Sequence, residues 1–160
     1  MLFRSQRRLS LHSLVVVAVA LAQNAPQKTD PRTPRTTLVA MTIRVVTDSA
    51  CDLPQHLADE HGITIVPLTF RFGDEEFVDR ASLTPKEFWA RCSASPVLPQ
   101  TAAPAPGQFA TTFSNLAAQG ATGILVVTIS AELSATLQAA EQGAKQAGLS
   151  IPVQIGRAHV

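Results

Sequence analysis

Two segments of the chain place side-chain hydroxyls near predicted helix starts. Residues 99–109 carry Thr101 among prolines, alanines and a glycine, and residues 129–138 carry Ser134. A helix start offers unpaired backbone N–H groups and a partial positive charge. Hydroxyl donors beside two such starts suit a small anionic head group, such as a carboxylate or a phosphate. The residue types therefore fit an acid-binding site and ordinary helix-cap or loop roles equally well.

Asp48 and Asp52 are the residues that most resemble a catalytic pair. They follow the first predicted strand, and α/β proteins bind ligands at the carboxyl ends of strands. The alternative function is therefore a metal-dependent phosphatase or hydrolase using both carboxylates. One phosphatase pattern would require aspartate at position 50, where the chain has Ala50. We predict structural roles instead, with turn hydrogen bonds for Asp48 or Ser49 and capping of the next helix by Asp52.

The cysteines and histidines match no site pattern. Cys51 and Cys92 do not form a C-x-x-C pair, and neither is followed by the arginine of a C-x5-R phosphatase loop. We expect two reduced thiols in or near the core. His56 and His61 are five positions apart, which is unsuited to a shared helix face. No catalytic residue, metal ligand or cofactor is predicted.

The chain divides by charge into a basic leader and a mildly acidic remainder. Its 160 residues carry a net charge of +1, which combines +5 in residues 1–40 with −4 in the rest. The acidic balance of the larger part argues against a nucleic-acid partner. The hydrophobic share of 46% and the charged share of 16% are typical of a globular protein.

The leader has two interpretations. Arginines, an apolar run and an A-x-A site ending at residue 22 resemble a secretory signal, and the run is too short to span a bilayer. A secreted protein would follow if residues 1–22 are a true signal peptide. We favour the second interpretation, in which residues 1–40 are a mistranslated, disordered leader. Translation would then start at Met41, and the protein would be cytoplasmic. Strand-like residues begin two positions after Met41.

The elements that must position the hydroxyls alternate between strand and helix. Strands are predicted over residues 43–47, 63–72, 76–78, 123–129 and 151–155, and helices over 54–61, 84–93, 106–119 and 133–147. Residues 95–106 contain four prolines and are predicted to be a loop. This alternation predicts an α/β domain over residues 41–154, with a mainly parallel sheet flanked by helices. Residues 155–160 resemble a translated sequencing-library adapter, which predicts an artefactual tail on a gene fragment.

Three sequence blocks, in the same order, resemble the DegV family of bacterial fatty-acid-binding proteins. Residues 46–54, VTDSACDLP, look like the opening strand and turn of that family. Residues 100–109, QTAAPAPGQF, look like its T-S-Q-P-S-P-G-E-F loop, and residues 129–140, ISAELSATLQAA, look like its I-S-S-x-L-S-G-T-Y-Q-S-A segment. The similarity covers residues 41–154. It implies a DegV-like amino-terminal domain, truncated before the family's second domain.

The resemblance also implies a function and two binding residues. In the family, hydroxyls matching Thr101 and Ser134 hold the carboxylate of a long-chain fatty acid such as palmitate. The acyl tail lies in an apolar tunnel that runs toward the second domain. Some members are the acyl-carrying subunit of fatty acid kinase, which is not itself an enzyme and presents the carboxylate to an ATP-dependent partner.

Four departures from the family pattern remove side-chain hydrogen-bonding groups or restrict the backbone. Ala102, Ala103 and Ala105 stand where the family usually has Ser, Gln and Ser, which removes side-chain hydrogen-bonding groups. Ala135 replaces a glycine, and alanine fits there only if φ is negative.

Overall fold

The structure is a computed structural model that describes residues 41–157. Its strands are β1 (Ile43–Asp48), β2 (Ile63–Val66), β3 (Thr69–Phe72), β4 (Glu75–Val78), β5 (Gln100–Ala102), β6 (Gly123–Thr128) and β7 (Val153–Arg157). Its helices are α1 (Gln55–Glu60), α2 (Pro85–Ala94), α3 (Pro106–Ala118) and α4 (Thr136–Ala147), and a 3-10 turn, Ser49–Cys51, follows β1. The leader over residues 1–40 and the tail residues 158–160 lie outside the described residues. None of the helices described is long and apolar enough to cross a bilayer.

The larger sheet contains four strands in the order β2-β1-β6-β7, and all neighbours run parallel. Val45 of β1 lies opposite Ile63 of β2 on one side and Leu125 of β6 on the other. Parallel neighbours require crossover connections, and α1 and α4 form the crossovers from β1 to β2 and from β6 to β7. The predicted parallel sheet flanked by helices is confirmed.

Helices cover this sheet on both faces. Successive residues of a strand point to opposite faces, so Val45 and Val46 enter different apolar clusters. Val46 packs with buried residues of α3 and α4, namely Phe109, Phe113, Leu116, Ala139 and Ala140. Val45 packs with buried residues of the 3-10 turn, the following loop, α1 and β2, namely Cys51, Leu53, Ala58 and Ile63. The centre of β1 is therefore apolar on both faces.

A second sheet, with the order β4-β3-β5, is antiparallel and corrects two predictions. The single strand predicted over residues 63–72 is two strands in different sheets. Pro67 separates them because it has no N–H to continue strand pairing. The loop predicted over residues 95–106 contains β5, whose Thr101 pairs with Phe70 of β3.

Helix α4 begins at Thr136, three residues after the predicted start at Leu133. The amides of Leu133 and Ser134 both donate to the carbonyl of Ser130, at 3.0 and 3.1 Å. This tight turn occupies the positions that the apolar pattern assigns to the first helical turn. Leu133 is 66% exposed, so it does not belong to the buried stripe.

Strand β7 also extends beyond its predicted end. Ile155 lies opposite Val126 of β6, and Arg157 lies opposite Thr128. The first three residues of the predicted tail are thus continuous with the sheet, and the artefactual origin of residues 155–160 stays a prediction.

Candidate ligand-binding site

Asp48 joins the carboxyl ends of the two central strands. Its Oδ2 accepts a 2.7 Å hydrogen bond from the amide of Ile129, just after β6, and its Oδ1 accepts a 3.0 Å bond from the amide of Ala50. Burial raises the pKa of the Asp48 carboxyl, and both amide bonds oppose that shift. Because each oxygen already has an amide partner, Asp48 is a structural acceptor, as predicted from its turn position.

Asp52 does not take the predicted role. It is exposed, adopts a left-handed conformation with φ +52° and ends the 3-10 turn, while Pro54 occupies the N-cap position of α1. The prediction that Asp52 caps this helix is therefore wrong, because Asp52 ends the 3-10 turn two residues before the N-cap position. Within residues 41–157 no three or more His, Cys, Asp or Glu side chains cluster so as to hold a metal ion.

Ser49 and Arg80 join the same turn to the smaller sheet. The hydroxyl of Ser49 accepts a 3.0 Å bond from the amide of Leu68, which immediately precedes β3. The guanidinium of Arg80 donates to the carbonyls of Leu53, at 2.6 Å, and Ser49, at 3.3 Å. Arg80 itself has φ +63°, a conformation that L-residues rarely adopt. The turn after β1 is thus bonded to both sheets.

A pocket of about 200 Å³ opens between this turn and the smaller sheet. Its apolar wall comes from β3, α2 and the residue before β3, namely Phe70, Phe88, Trp89 and Leu68. Its polar rim includes Ser49, Arg80 and the predicted site residue Thr101. Complete small-molecule sites usually enclose about 300–1,000 Å³, so this pocket has room for only part of a long ligand.

Ser134 lies in the loop between β6 and α4. It is half-buried, its hydroxyl lies 2.8 Å from the hydroxyl of Thr136, and it accepts a 3.3 Å bond from the Thr136 amide. Among residues 41–157 no hydrogen bond links Ser134 with Thr101, and Ser134 does not line the pocket beside Thr101. The structure instead connects the two segments through the turn after β1, which Ile129 and Leu68 both contact.

Sequence reasoning missed the pocket wall and Arg80. The capping box of Thr84 and Glu87 correctly predicts α2 and its start. It gives no information on which surface Phe88 and Trp89 face, since that depends on the unpredicted pairing of β3 with β5. A lone arginine at positive φ leaves no pattern in the sequence.

Cys51, in the 3-10 turn, is expected to resist alkylation while the protein is folded. It is only 2% exposed, and burial raises the pKa of its thiol, so little reactive thiolate forms. Cys92 is half-buried and serves as the internal control. With iodoacetamide at about pH 8, peptide mass spectrometry should show Cys92 modified at least about tenfold faster than Cys51. Equal rates in the native protein, rather than only in denaturant, would contradict this buried environment.

The geometry defines a class of protein: an α/β protein with a ligand pocket next to the carboxyl edge of a parallel sheet. A family model described as an uncharacterised protein of the DegV family matches residues 42–155. The chain therefore belongs to the DegV family.

Two curated relatives support this membership, and both are longer than this chain. A DegV domain-containing protein of Streptococcus pyogenes serotype M3 is 35% identical over 112 residues, which cover 70% of this chain and 40% of the relative. A Staphylococcus aureus DegV domain-containing protein is 35% identical over 103 residues, which cover 64% of this chain and 36% of that protein. The chain thus spans about 40% or less of the length of these relatives.

Solved structures share the fold. A DegV family protein from Thermus thermophilus, described by its fatty acid binding, has a TM-score of 0.63 and 32% identity, over 73% of this chain and 41% of its own. A stearic-acid-binding protein from Eubacterium ventriosum has a TM-score of 0.67 and 27% identity, over 72% and 41%. The Fatty Acid Kinase B3 protein of Streptococcus pneumoniae, loaded with linoleic acid, has a TM-score of 0.57 and 26% identity, over 72% and 41%.

Proposed function

We propose that this protein binds a long-chain fatty acid, with Thr101 and Ser134 donating hydrogen bonds to its carboxylate. The observation that carries the proposal is that the two hydroxyl-bearing segments are both connected to the same turn by hydrogen bonds. The turn after β1 bonds to Ile129, ahead of Ser134, and to Leu68, ahead of the strand that pairs with Thr101. Neutral hydroxyls suit a carboxylate, because a hydrogen bond to a charged acceptor is stronger than one between two neutral groups.

The pocket beside Thr101 supplies the apolar part of the proposed site. Phe70, Phe88 and Trp89 offer aromatic surface, and each buried CH2 of a tail contributes about 0.8 kcal/mol. A pocket of about 200 Å³ holds only a portion of a palmitate tail. The remainder would be covered by sequence that corresponds to the longer part of the DegV relatives.

We propose a carrier role for this site, without an enzymatic activity of its own. We infer that the bound acid is presented, with its carboxylate accessible, to an ATP-dependent fatty acid kinase subunit. The likeness to the Streptococcus pneumoniae Fatty Acid Kinase B3 protein supports that partner. The proposed ATP-dependent partner supports a cytoplasmic location, which is part of this proposal.

Alanine substitutions test the site. In the full-length gene product, Thr101→Ala and Ser134→Ala should each weaken palmitate binding about tenfold, as expected for loss of one hydrogen bond to a charged group. Binding is measured by isothermal titration calorimetry on delipidated protein. Native mass spectrometry of wild type purified without added lipid should also show a co-purifying acyl mass.

The controls remove exposed hydroxyls that do not line the pocket beside Thr101. Thr111→Ala and Ser114→Ala change exposed residues of α3 and should leave palmitate affinity within about twofold of wild type. Unchanged affinity in both Thr101→Ala and Ser134→Ala would reject these residues as the carboxylate ligands.

A further inference from the structure

Asp48 and Ser49 are consecutive residues whose side chains bond to two different segments of the fold. Both are almost completely buried, and neither is one of the proposed carboxylate ligands. We propose that they are positioning residues: Asp48 sets the place of Ser134, and Ser49 sets the place of Thr101. This inference rests on the proposed function, because the two hydroxyls that they position are the proposed ligands.

Two hydrogen bonds and the peptide bond between Ile129 and Ser130 connect Asp48 to Ser134. The carboxylate accepts the amide of Ile129 at 2.7 Å. The next residue, Ser130, accepts the amides of Leu133 and Ser134 on its carbonyl. The segment from Ile129 to Ser134 is therefore a folded turn with one of its ends fixed to Asp48. Loss of the Asp48 bond releases that end and lets the Ser134 hydroxyl move.

The path from Ser49 to Thr101 crosses the smaller sheet. The Ser49 hydroxyl accepts the Leu68 amide at 3.0 Å, and the Leu68 carbonyl accepts the Asp79 amide at 2.9 Å. Leu68 leads directly into β3, where Phe70 pairs with Thr101. The Ser49 bond therefore fixes the start of β3, the central strand of this sheet. Because β5 is hydrogen-bonded to β3, the position of Thr101 depends on that of β3.

The carboxylate and the hydroxyl are suited to this task because both act as acceptors for a backbone N–H. An unpartnered buried N–H is costly, so each bond strongly favours one arrangement of the segment that donates it. Arg80 reinforces the arrangement by donating to the carbonyl of Ser49. The turn is thereby held from the side of the smaller sheet as well.

Double-mutant cycles distinguish positioning from general stabilisation. Asp48→Asn should weaken palmitate binding about tenfold in wild type and in Thr101→Ala, but at most about twofold in Ser134→Ala. Ser49→Ala should show the reverse dependence, with a full effect in Ser134→Ala and little effect in Thr101→Ala. A residue that only stabilises the fold lowers affinity by the same factor in every background.

The matched controls are an exposed carboxylate and an exposed hydroxyl with similar bonds. Asp59 accepts from the Gln55 side chain, and Ser82 accepts from the Val78 amide. Asp59→Asn and Ser82→Ala should leave palmitate affinity unchanged in all backgrounds. Thermal melting of every variant verifies that the measured protein is folded.

The outcomes separate this inference from the proposed function. Wild type without palmitate affinity, or unaffected Thr101→Ala and Ser134→Ala variants, would overturn the proposed function and this inference with it. If those two variants weaken binding but Asp48→Asn and Ser49→Ala act equally in every background, only the positioning roles are overturned. If Asp48→Asn does not fold, the Ser49→Ala cycle decides the question. Failure of both variants to fold would indicate a purely structural role and would also overturn the inference.

Discussion

Replacing Gly143 with alanine is expected to lower the free energy of unfolding by about 3 kcal/mol. Gly143 lies in α4 where that helix meets α3. A Cβ added at this position would lie 2.5 Å from the Cβ of Phe109 and 2.7 Å from the carbonyl oxygen of Pro106. Neither neighbour can yield easily, because one belongs to a fully buried side chain and the other to the backbone of the first turn of α3. The helices must therefore separate to accommodate the methyl group.

Urea denaturation of wild type and variant measures this loss. Gly107, in the first turn of α3, provides the control, because an added Cβ there meets nothing within 4 Å. Gly107→Ala should be neutral or stabilising by up to about 1 kcal/mol, since alanine has the higher helix propensity. A Gly143→Ala variant as stable as wild type would contradict the close approach of the two helices.

Replacing Phe70 with alanine is expected to cost about 3–5 kcal/mol of stability, the usual range for a buried phenylalanine. Phe70 is 6% exposed and sits at the centre of an aromatic cluster. Its ring centroid lies 4.8 Å from that of Phe88 and 6.2 Å from those of Phe72 and Phe77. The substitution leaves a cavity among these rings, which weakens the contact of α2 with the smaller sheet.

The same substitution also affects the proposed site, because Phe70 pairs with Thr101 and lines the pocket. Chemical denaturation gives the stability loss, and palmitate titration below the unfolding transition gives the affinity loss. Trp89→Ala is the control for stability: this side chain is 67% exposed, and its removal should cost about 1 kcal/mol or less. Equal destabilisation by the two variants would contradict the central position of Phe70.

The sequence predicts the larger sheet well because its strands and helices are specified locally. The β-branched runs at β1 and β6 are buried on both faces, and Gly148 ends α4, which covers this sheet. The smaller sheet depends on tertiary contacts. Strand β5 has three exposed residues and forms only because β3 offers a free edge. Such a segment carries no periodic pattern, so its prolines suggest a loop.

The sequence proposes residues for the candidate site but does not specify their arrangement. The DegV-like blocks single out Thr101 and Ser134, and strand order places Asp48 at the carboxyl edge of the sheet. The bonds that connect these segments span 19 positions from Ser49 to Leu68 and 81 from Asp48 to Ile129. Long-range partners of this kind depend on the register of the strands, which a single sequence does not specify.

The central pairing of β1 with β6 has a consequence for biosynthesis. Thr42, just before β1, donates to the hydroxyl of Thr122, 80 positions later. On the ribosome, β1 therefore emerges long before the strand that completes it, and contacts so distant in sequence slow the search for the native topology. Until β6 leaves the exit tunnel, the nascent chain carries an apolar strand with an unpaired edge, a kind of surface that promotes aggregation.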